Sequence, residues 1–222
     1  MEKKAQISIL NGFWLLIFAY SCTLMVEITW RYHSFALDAN FLMIKQTEVE
    51  ELWWYKYVFY THVCTAVLAL PAGFTQFNSG LLTKYPRLHR TIGYVYVLSI
   101  LGFAAPSGAL IGFVANGGLF AIISFELLAL GWFYFTWQAV RLAIQKKINL
   151  HHDFMLRSFA LTCSAITLRF WKVILVYLVH PNPMDLYQII AWLGWVPNLL
   201  LVEFIIYRKN HKLRNNYDLS DL

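Results

Sequence analysis

Six apolar runs, each about 20 residues long, limit what this chain can fold into. A helix of that length crosses about 30 Å of hydrocarbon at about 1.5 Å per residue. Hydrophobic residues make up 59% of the 222 residues and charged residues only 14%, whereas about a quarter of a soluble domain is charged. The pattern predicts an all-α membrane protein, a single six-helix bundle over residues 1–222 with spans near 7–30, 53–75, 91–115, 119–140, 153–178 and 187–207.

The first run follows the sequence MEKK and is placed like a signal peptide. It is longer than the apolar core of a signal peptide, and no small-x-small cleavage motif follows it. We therefore expect this segment to be retained as a membrane span.

Lysine and arginine residues indicate on which side of the membrane each connection lies. If both termini are cytoplasmic, twelve of these residues fall on that side and three fall outside. The twelve are Lys3, Lys4, Lys84, Arg87, Arg90, Arg141, Lys146, Lys147, Arg208, Lys209, Lys212 and Arg214, and the three are Arg31, Lys45 and Lys56. The asymmetry predicts a multi-pass protein of the cell inner membrane. Because the basic residues are divided among four short segments, they do not predict nucleic-acid binding.

Two of the predicted cytoplasmic connections resemble each other. FTQFNSGLLTKYPRLHR (Phe74–Arg90) joins spans two and three, and FTWQAVRLAIQKKINLHH (Phe135–His152) joins spans four and five. Both begin with Phe-Thr, pass through basic residues and end on Leu-His at the start of the next span. A parallel duplication of helical hairpins would explain this likeness and would place His89 and His151 at equivalent positions, facing one another. The external connection, residues 31–52, is expected to hold a short interfacial helix.

Three motifs occur together in the chain: YPRLHRTIGYVYVLS, HHDFMLRSFALTCSAITLRFW and WLGWVPNLLLVE. As a set they resemble the bacterial membrane proteins grouped as domain of unknown function 2306, over the stretch from His62 to Glu203. The resemblance implies a multi-pass helical fold and no established activity. In architecture alone the chain is also similar to transmembrane b-type cytochromes, which hold haem between helix histidines.

Ionisable side chains inside the spans are candidates for function, because a charge in hydrocarbon costs several kcal/mol unless it is paired or hydrated. From their depths in the spans, Arg169 and Glu126 are expected to pair, with His62 as a third member. A structural ion pair that only locks two helices together explains these residues equally well.

A polar stripe is predicted along span five. At about 100° per residue, His151, Ser158, Thr162 and Arg169 share one helix face, which should therefore point into the bundle. Span six adds Glu203, together with Asn198 directly after Pro197, where an amide can satisfy a carbonyl freed by the proline.

Histidines at the predicted cytoplasmic helix ends suggest binding of haem b or a divalent metal. The candidate ligands are His89 with His151 or His152, and His62 at another depth. Histidines among basic residues also serve as headgroup or capping residues. We favour a membrane redox or haem-associated protein. The alternatives are a small-molecule or proton transporter, with quinone or another small apolar molecule as a partner besides the lipid bilayer, and a non-catalytic membrane subunit or assembly factor. The sequence decides neither enzymatic activity nor oligomeric state.

Overall fold

The computed structural model describes residues 2–37 and 39–220, with side chains at 12, 15–37 and 39–212. This part of the chain is helical and contains no strand, which confirms the all-α prediction. A 3-10 helix (Asn40–Ile44) and a π-helical segment (Leu98–Ala104) accompany the α-helices. The α-helices are α1 (Glu2–Trp30), α2 (Gln46–Glu51), α3 (Tyr55–Thr75), α4 (Ser79–Lys84), α5 (Pro86–Val97), α6 (Ala105–Gly112), α7 (Gly118–Ile144), α8 (Ile148–Thr162), α9 (Ser164–Leu178), α10 (Pro183–Leu193) and α11 (Val196–Ser220).

Five helical segments of the described chain are long and apolar enough to cross a membrane. Numbered as in the sequence prediction, they are the second span (Tyr55–Thr75), third (Pro86–Gly112), fourth (Gly118–Ile144), fifth (Ile148–Leu178) and sixth (Pro183–Lys212). The predicted first span falls in α1, whose described apolar part, Leu15–Trp30, is shorter. A sixth crossing, the cytoplasmic placement of the termini and the hairpin duplication therefore stay predictions.

The bundle has two halves that differ in their connections. The basic half adjoins residues 76–85 and 145–147, and the distal half adjoins residues 31–54, 113–117 and 179–182. The second span packs along the third, and the fourth packs along α8, the first part of the fifth. Helix α1 lies against the second span, and α11 lies against α8.

Three of the five spans are interrupted along their length. The third span passes through the π-helical segment just before Pro106, which has no N–H to complete a helical hydrogen bond. The fifth breaks at Cys163, between α8 and α9, and the sixth breaks at Gly194 and Trp195, between α10 and α11.

Residues 31–37 and 39–52 form a cap over the distal ends of the second and third spans. The cap contains the 3-10 helix and α2, so the short helix expected in this connection is present. Its core is a cluster of buried apolar side chains: Tyr32, Leu42, Tyr55, Phe59 and Tyr60. Lys45 is only 2% exposed; it forms an ion pair with Glu48 and donates a hydrogen bond to the Val114 carbonyl, which ties the cap to the third span.

Candidate functional site

A network of buried hydroxyl and indole groups joins the third, fourth and fifth spans. The Tyr96 hydroxyl lies 2.7 Å from Ser158 Oγ and 3.0 Å from Thr162 Oγ1. Thr136 Oγ1 lies 2.7 Å from Ser158 Oγ, and Trp132 Nε1 donates to Thr162 Oγ1 at 3.0 Å. All five side chains are buried. Ser158 and Thr162 thus face the interior, and every polar side chain of the network has a partner.

The third and fifth spans present equivalent faces at this network. Each face carries four residues spaced i, i+4, i+7 and i+11, which lie on one side of a helix. They are His89, Gly93, Tyr96 and Ile100 in the third span, and His151, Met155, Ser158 and Thr162 in the fifth. Tyr96 and Ser158, which touch, hold the same place in the two series. His89 lies seven residues before Tyr96, and His151 lies seven residues before Ser158. Seven residues correspond to about 10 Å along a helix.

These two histidines form a pair in the basic half. They lie close enough for their charges to interact. His151 Nδ1 is 2.8 Å from the Ala139 carbonyl, which can only accept, so this nitrogen carries the hydrogen and Nε2 keeps its lone pair. His89 Nδ1 is buried and has no hydrogen-bond partner among the described residues. The pair therefore leaves ring nitrogens available for a ligand.

His152 is separated from this pair although it adjoins His151 in sequence. Its side chain is exposed, with Nδ1 3.8 Å from Asp153 Oδ1 and its ring at 6.0 Å from that of Phe77. One residue along a helix turns a side chain by about 100°, which places the two neighbouring histidines on different faces.

Two ion pairs join the fifth and sixth spans on another face of α8. Arg157 binds Glu203 through two contacts, Nε–Oε1 at 2.5 Å and Nη2–Oε2 at 2.8 Å. One turn earlier, the buried Asp153 pairs with Lys209. Glu203 was predicted as a buried polar group, but the sequence reasoning missed its partner Arg157. The detectable signal was an acid and a base four residues apart on α8, opposite a base and an acid on the antiparallel α11.

Arg169 and Glu126 do not pair. Arg169 Nη1 instead donates to the Ala165 carbonyl at 2.6 Å, and no ion pair of Arg169 occurs among the described residues. Glu126 Oε1 is buried and without a hydrogen-bond partner in the same part of the chain. The predicted pairing is thus wrong. The stripe through His151 and Ser158 does not continue to Arg169, because Arg169 is exposed and α9 contains no buried residue.

The side chain of His62, which belongs to the second span, contacts the end of the π-helical segment in the third span. Its Nδ1 is 2.8 Å from the Ala104 carbonyl and 3.5 Å from Ser107 Oγ. The carbonyl again assigns the hydrogen to Nδ1, so Nε2 is an acceptor. Arg169 is near enough to His62 for an electrostatic interaction. His62 and Arg169 thus both lie in the distal half, away from the histidine pair.

Comparison with known proteins identifies the family. The model of a family of predicted membrane proteins, DUF2306, matches residues 59–206. The chain belongs to this family. No curated protein matches the chain, and no solved structure matches it. In this DUF2306 protein the matched stretch contains the hydroxyl network, both histidines of the pair and the Arg157–Glu203 ion pair.

Asn198 has a structural position in this DUF2306 protein. Its side-chain amide donates to Thr167 Oγ1 at 2.9 Å, to the Ala160 carbonyl at 3.2 Å and to the Gly194 carbonyl at 3.3 Å. The amide satisfies a carbonyl at the break in the sixth span and ties that span to the fifth. The hydrogen bonds that the Asn198 amide donates therefore all go to other residues of the protein.

The histidine pair of this DUF2306 protein fits the ligand requirement of haem better than that of a zinc ion. No cluster of three or more His, Cys, Asp and Glu side chains that could hold a metal ion occurs among the described residues. Structural and catalytic zinc sites use three or four protein ligands. Haem iron needs only axial ligands from the protein, because the porphyrin occupies its other positions. Two imidazoles on facing helices fit that requirement.

Proposed function

We propose that this DUF2306 protein is a membrane redox protein that binds haem b between the third and fifth spans, with His89 and His151 as the axial ligands. The observation that carries this proposal is the facing pair of histidines. They occupy equivalent places in two helix faces that meet at Tyr96 and Ser158.

The packing between the histidine pair and Tyr96 supports room for a planar group. The contact between the two helices is made through the full length of the Tyr96 side chain, so their backbones stay apart at that level. A planar macrocycle would lie between these two helices, where His89 and His151 would hold it and it would supply one-electron chemistry.

The hydrogen bonds of the pair support ligation. The Ala139 carbonyl holds the His151 ring in one tautomer and orientation, as backbone carbonyls commonly do behind ligating histidines. Such a bond also raises the basicity of the ligating nitrogen. His89 has no such partner among the described residues, so its buried Nδ1 is free of competing hydrogen bonds there.

The proposal places the histidine pair on the cytoplasmic side of the inner membrane. The distribution of lysine and arginine between the two ends of the bundle supports this orientation. Haem supplies one-electron chemistry when bound. The chain's own part is to supply two neutral imidazoles and to surround them with the apolar core of the spans.

The test is the visible spectrum of the detergent-purified protein, oxidised and then reduced with dithionite, with metal analysis on the same sample. We expect a sharp Soret band, a reduced α-band and about one iron per chain. His89→Ala and His151→Ala should each abolish the spectrum.

His152→Ala is the matched control because it removes the neighbouring imidazole, which faces elsewhere, and His180→Ala removes one from the distal end. Both should keep the spectrum of the wild type. A colourless protein from haem-replete cells would refute the proposal, and so would retention of the spectrum in both His89→Ala and His151→Ala.

A further inference from the structure

The outer face of the fourth span carries a groove at its basic end. The groove has a volume of about 190 Å³ and is lined by residues of α7: Trp137, Val140, Arg141, Ile144 and Gln145. A different face of α7 packs into the bundle, where Thr136 and Ala139 are fully buried. In the groove, by contrast, Trp137 is 53% exposed and Ile144 is 77% exposed. The groove therefore opens away from the bundle, toward the surrounding lipid.

The groove combines an apolar surface with one cation. Trp137, Val140 and Ile144 supply the apolar part, and Arg141 lies among them on the last turn of the helix. The side chain of Arg141 is exposed, and no ion pair of Arg141 is found among the described residues. This arrangement fits a molecule that joins an apolar chain to an anionic group.

The turn that ends α7 holds a lysine in a backbone conformation that lysine rarely adopts. Lys146 has φ 59°, in the left-handed region where glycine or asparagine is usual at the end of a helix. The Lys146 N–H donates to the Ala143 carbonyl and the Lys147 N–H to the Leu142 carbonyl, both at 3.0 Å. These two hydrogen bonds fold the chain back onto the last turn of α7. The backbone of both lysines is thereby fixed beside the turn that carries Arg141.

The nearby acids do not neutralise these cations. Asp153 and Glu203, the acids of the basic half whose side chains the structure describes, are each held in an ion pair with another basic residue. Arg141, Lys146 and Lys147 therefore leave a net positive charge at the end of the groove. Membrane orientation requires only that basic residues lie in a connection, and it does not require a lysine in a left-handed conformation. The strained placement of Lys146 thus points to a local role for its charge.

We propose that this groove is a binding site for an anionic phospholipid, with the phosphate at Arg141, Lys146 and Lys147 and one acyl chain along the apolar side chains. A guanidinium can donate two parallel hydrogen bonds to a phosphate, and each lysine adds a positive charge. In a zwitterionic phospholipid the quaternary ammonium of the headgroup cancels the charge of the phosphate, so the site prefers a lipid with net negative charge. The site uses neither histidine of the pair, and its occupation does not depend on haem binding.

The experiment is native mass spectrometry of the purified full-length protein in a neutral detergent, titrated with palmitoyl-oleoyl phosphatidylglycerol or with phosphatidylcholine of the same chains. We expect the first phosphatidylglycerol to bind about tenfold or more tightly, because each Lys or Arg near an anionic headgroup contributes about fivefold in affinity. Arg141→Gln should lower the affinity for phosphatidylglycerol about fivefold and leave that for phosphatidylcholine nearly unchanged. Lys84→Gln is the matched control, because it removes an exposed cation from the other basic connection, and it should keep the selectivity of the wild type.

Lys146→Gly separates lipid binding from a purely structural role of this lysine. Glycine adopts the left-handed conformation without strain, so the variant should raise the midpoint of thermal unfolding by about 2–4 °C. It should also lower the affinity for phosphatidylglycerol about fivefold, whereas Lys146→Arg, which keeps the charge, should retain it.

Three results would overturn the proposal. They are equal affinity for the two lipids, the same loss in Arg141→Gln and Lys84→Gln, and unchanged affinity for phosphatidylglycerol in Lys146→Gly. Displacement of phosphatidylglycerol by an equal concentration of inorganic phosphate would replace the lipid site with a site for free phosphate, because the apolar groove would then contribute nothing. The His89→Ala variant should keep the preference for phosphatidylglycerol, which separates this outcome from the haem test.

Discussion

The hydroxyl network of the basic half and the surroundings of Glu126 in the distal half handle polar groups in opposite ways. In the basic half, Tyr96, Thr136, Ser158 and Thr162 satisfy one another, and Arg157 meets Glu203 in a two-contact ion pair. In the distal half, Glu126 keeps a buried oxygen without a partner in the described chain. The helices of the basic half, α5 and α8, are less apolar than their distal continuations α6 and α9. The two regions also differ in the distribution of hydrogen-bond partners.

This contrast separates polar groups that hold the fold from polar groups that have no partner among the described residues. A satisfied network contributes stability and fixes the relative rotation of the helices. An unsatisfied polar group in hydrocarbon costs stability, and a protein keeps it where a bound molecule completes it. Substitutions of the same kind should therefore differ in the size of their effect on stability between these two regions.

The largest expected difference comes from replacing one arginine in each half by methionine. Arg157→Met leaves Glu203 without its partner and should lower the free energy of unfolding by about 2–3 kcal/mol. Arg169→Met removes a cation that has no ion-pair partner in the described chain and should change it by less than about 1 kcal/mol, in either direction. Unfolding in mixed micelles of increasing dodecyl sulfate content measures both.

The double variant Arg157→Met/Glu203→Leu is the control for this prediction, because it removes both charges and should recover most of the lost stability. Equal destabilisation by Arg157→Met and Arg169→Met would show that the two halves do not differ in this way.

A smaller effect is expected from adding one methyl group in the packed part of the basic half. In Gly73→Ala the new Cβ would lie 2.6 Å from Tyr96 Cε2 and 2.7 Å from Phe159 Cδ2. Tyr96 is held by hydrogen bonds to the fifth span, and Phe159 packs on Phe77, so neither ring can retreat freely. The substitution should cost about 1–3 kcal/mol in the same unfolding assay.

Gly131→Ala makes the identical chemical change where the neighbour is at 3.4 Å. There the gain in helix propensity should dominate, with a stabilisation of up to about 1 kcal/mol. If Gly73→Ala were as stable as Gly131→Ala, the close ring packing at Gly73 would not be rigid.

The sequence predicts the spans well, because in a bilayer every backbone polar group has to be satisfied within the segment. The second span was predicted at 53–75 and runs Tyr55–Thr75; the fourth was predicted at 119–140 and runs Gly118–Ile144. The additional turn of the fourth span contains Arg141. A charged residue lowers the mean hydropathy, so the predicted span ended before it, but at a helix end a long basic side chain can reach the interface.

The candidate site was less predictable, for two physical reasons. Helical phase predicts the inward face from His151 to Thr162, but it also predicted an inward Arg169, which is exposed in a helix that contains no buried residue. Depth along a span also places groups at the same level without showing which faces meet. Glu203 therefore had a partner, Arg157, that depth alone did not select.

The smallest effect is the coupling between single hydroxyl groups, and it compares the halves most directly. Tyr96→Phe and Ser158→Ala each remove one end of a 2.7 Å hydrogen bond. Their double-mutant cycle should give a coupling of about 0.5–1.5 kcal/mol in the free energy of unfolding, typical of hydrogen bonds between membrane helices.

The matching cycle in the distal half, Glu126→Gln with Arg169→Met, should be additive within about 0.5 kcal/mol, because the two side chains do not bond in the free protein. A coupling above about 1 kcal/mol in the ligand-free distal cycle would mean that Arg169 and Glu126 already interact, and that the distal half is as internally satisfied as the basic half.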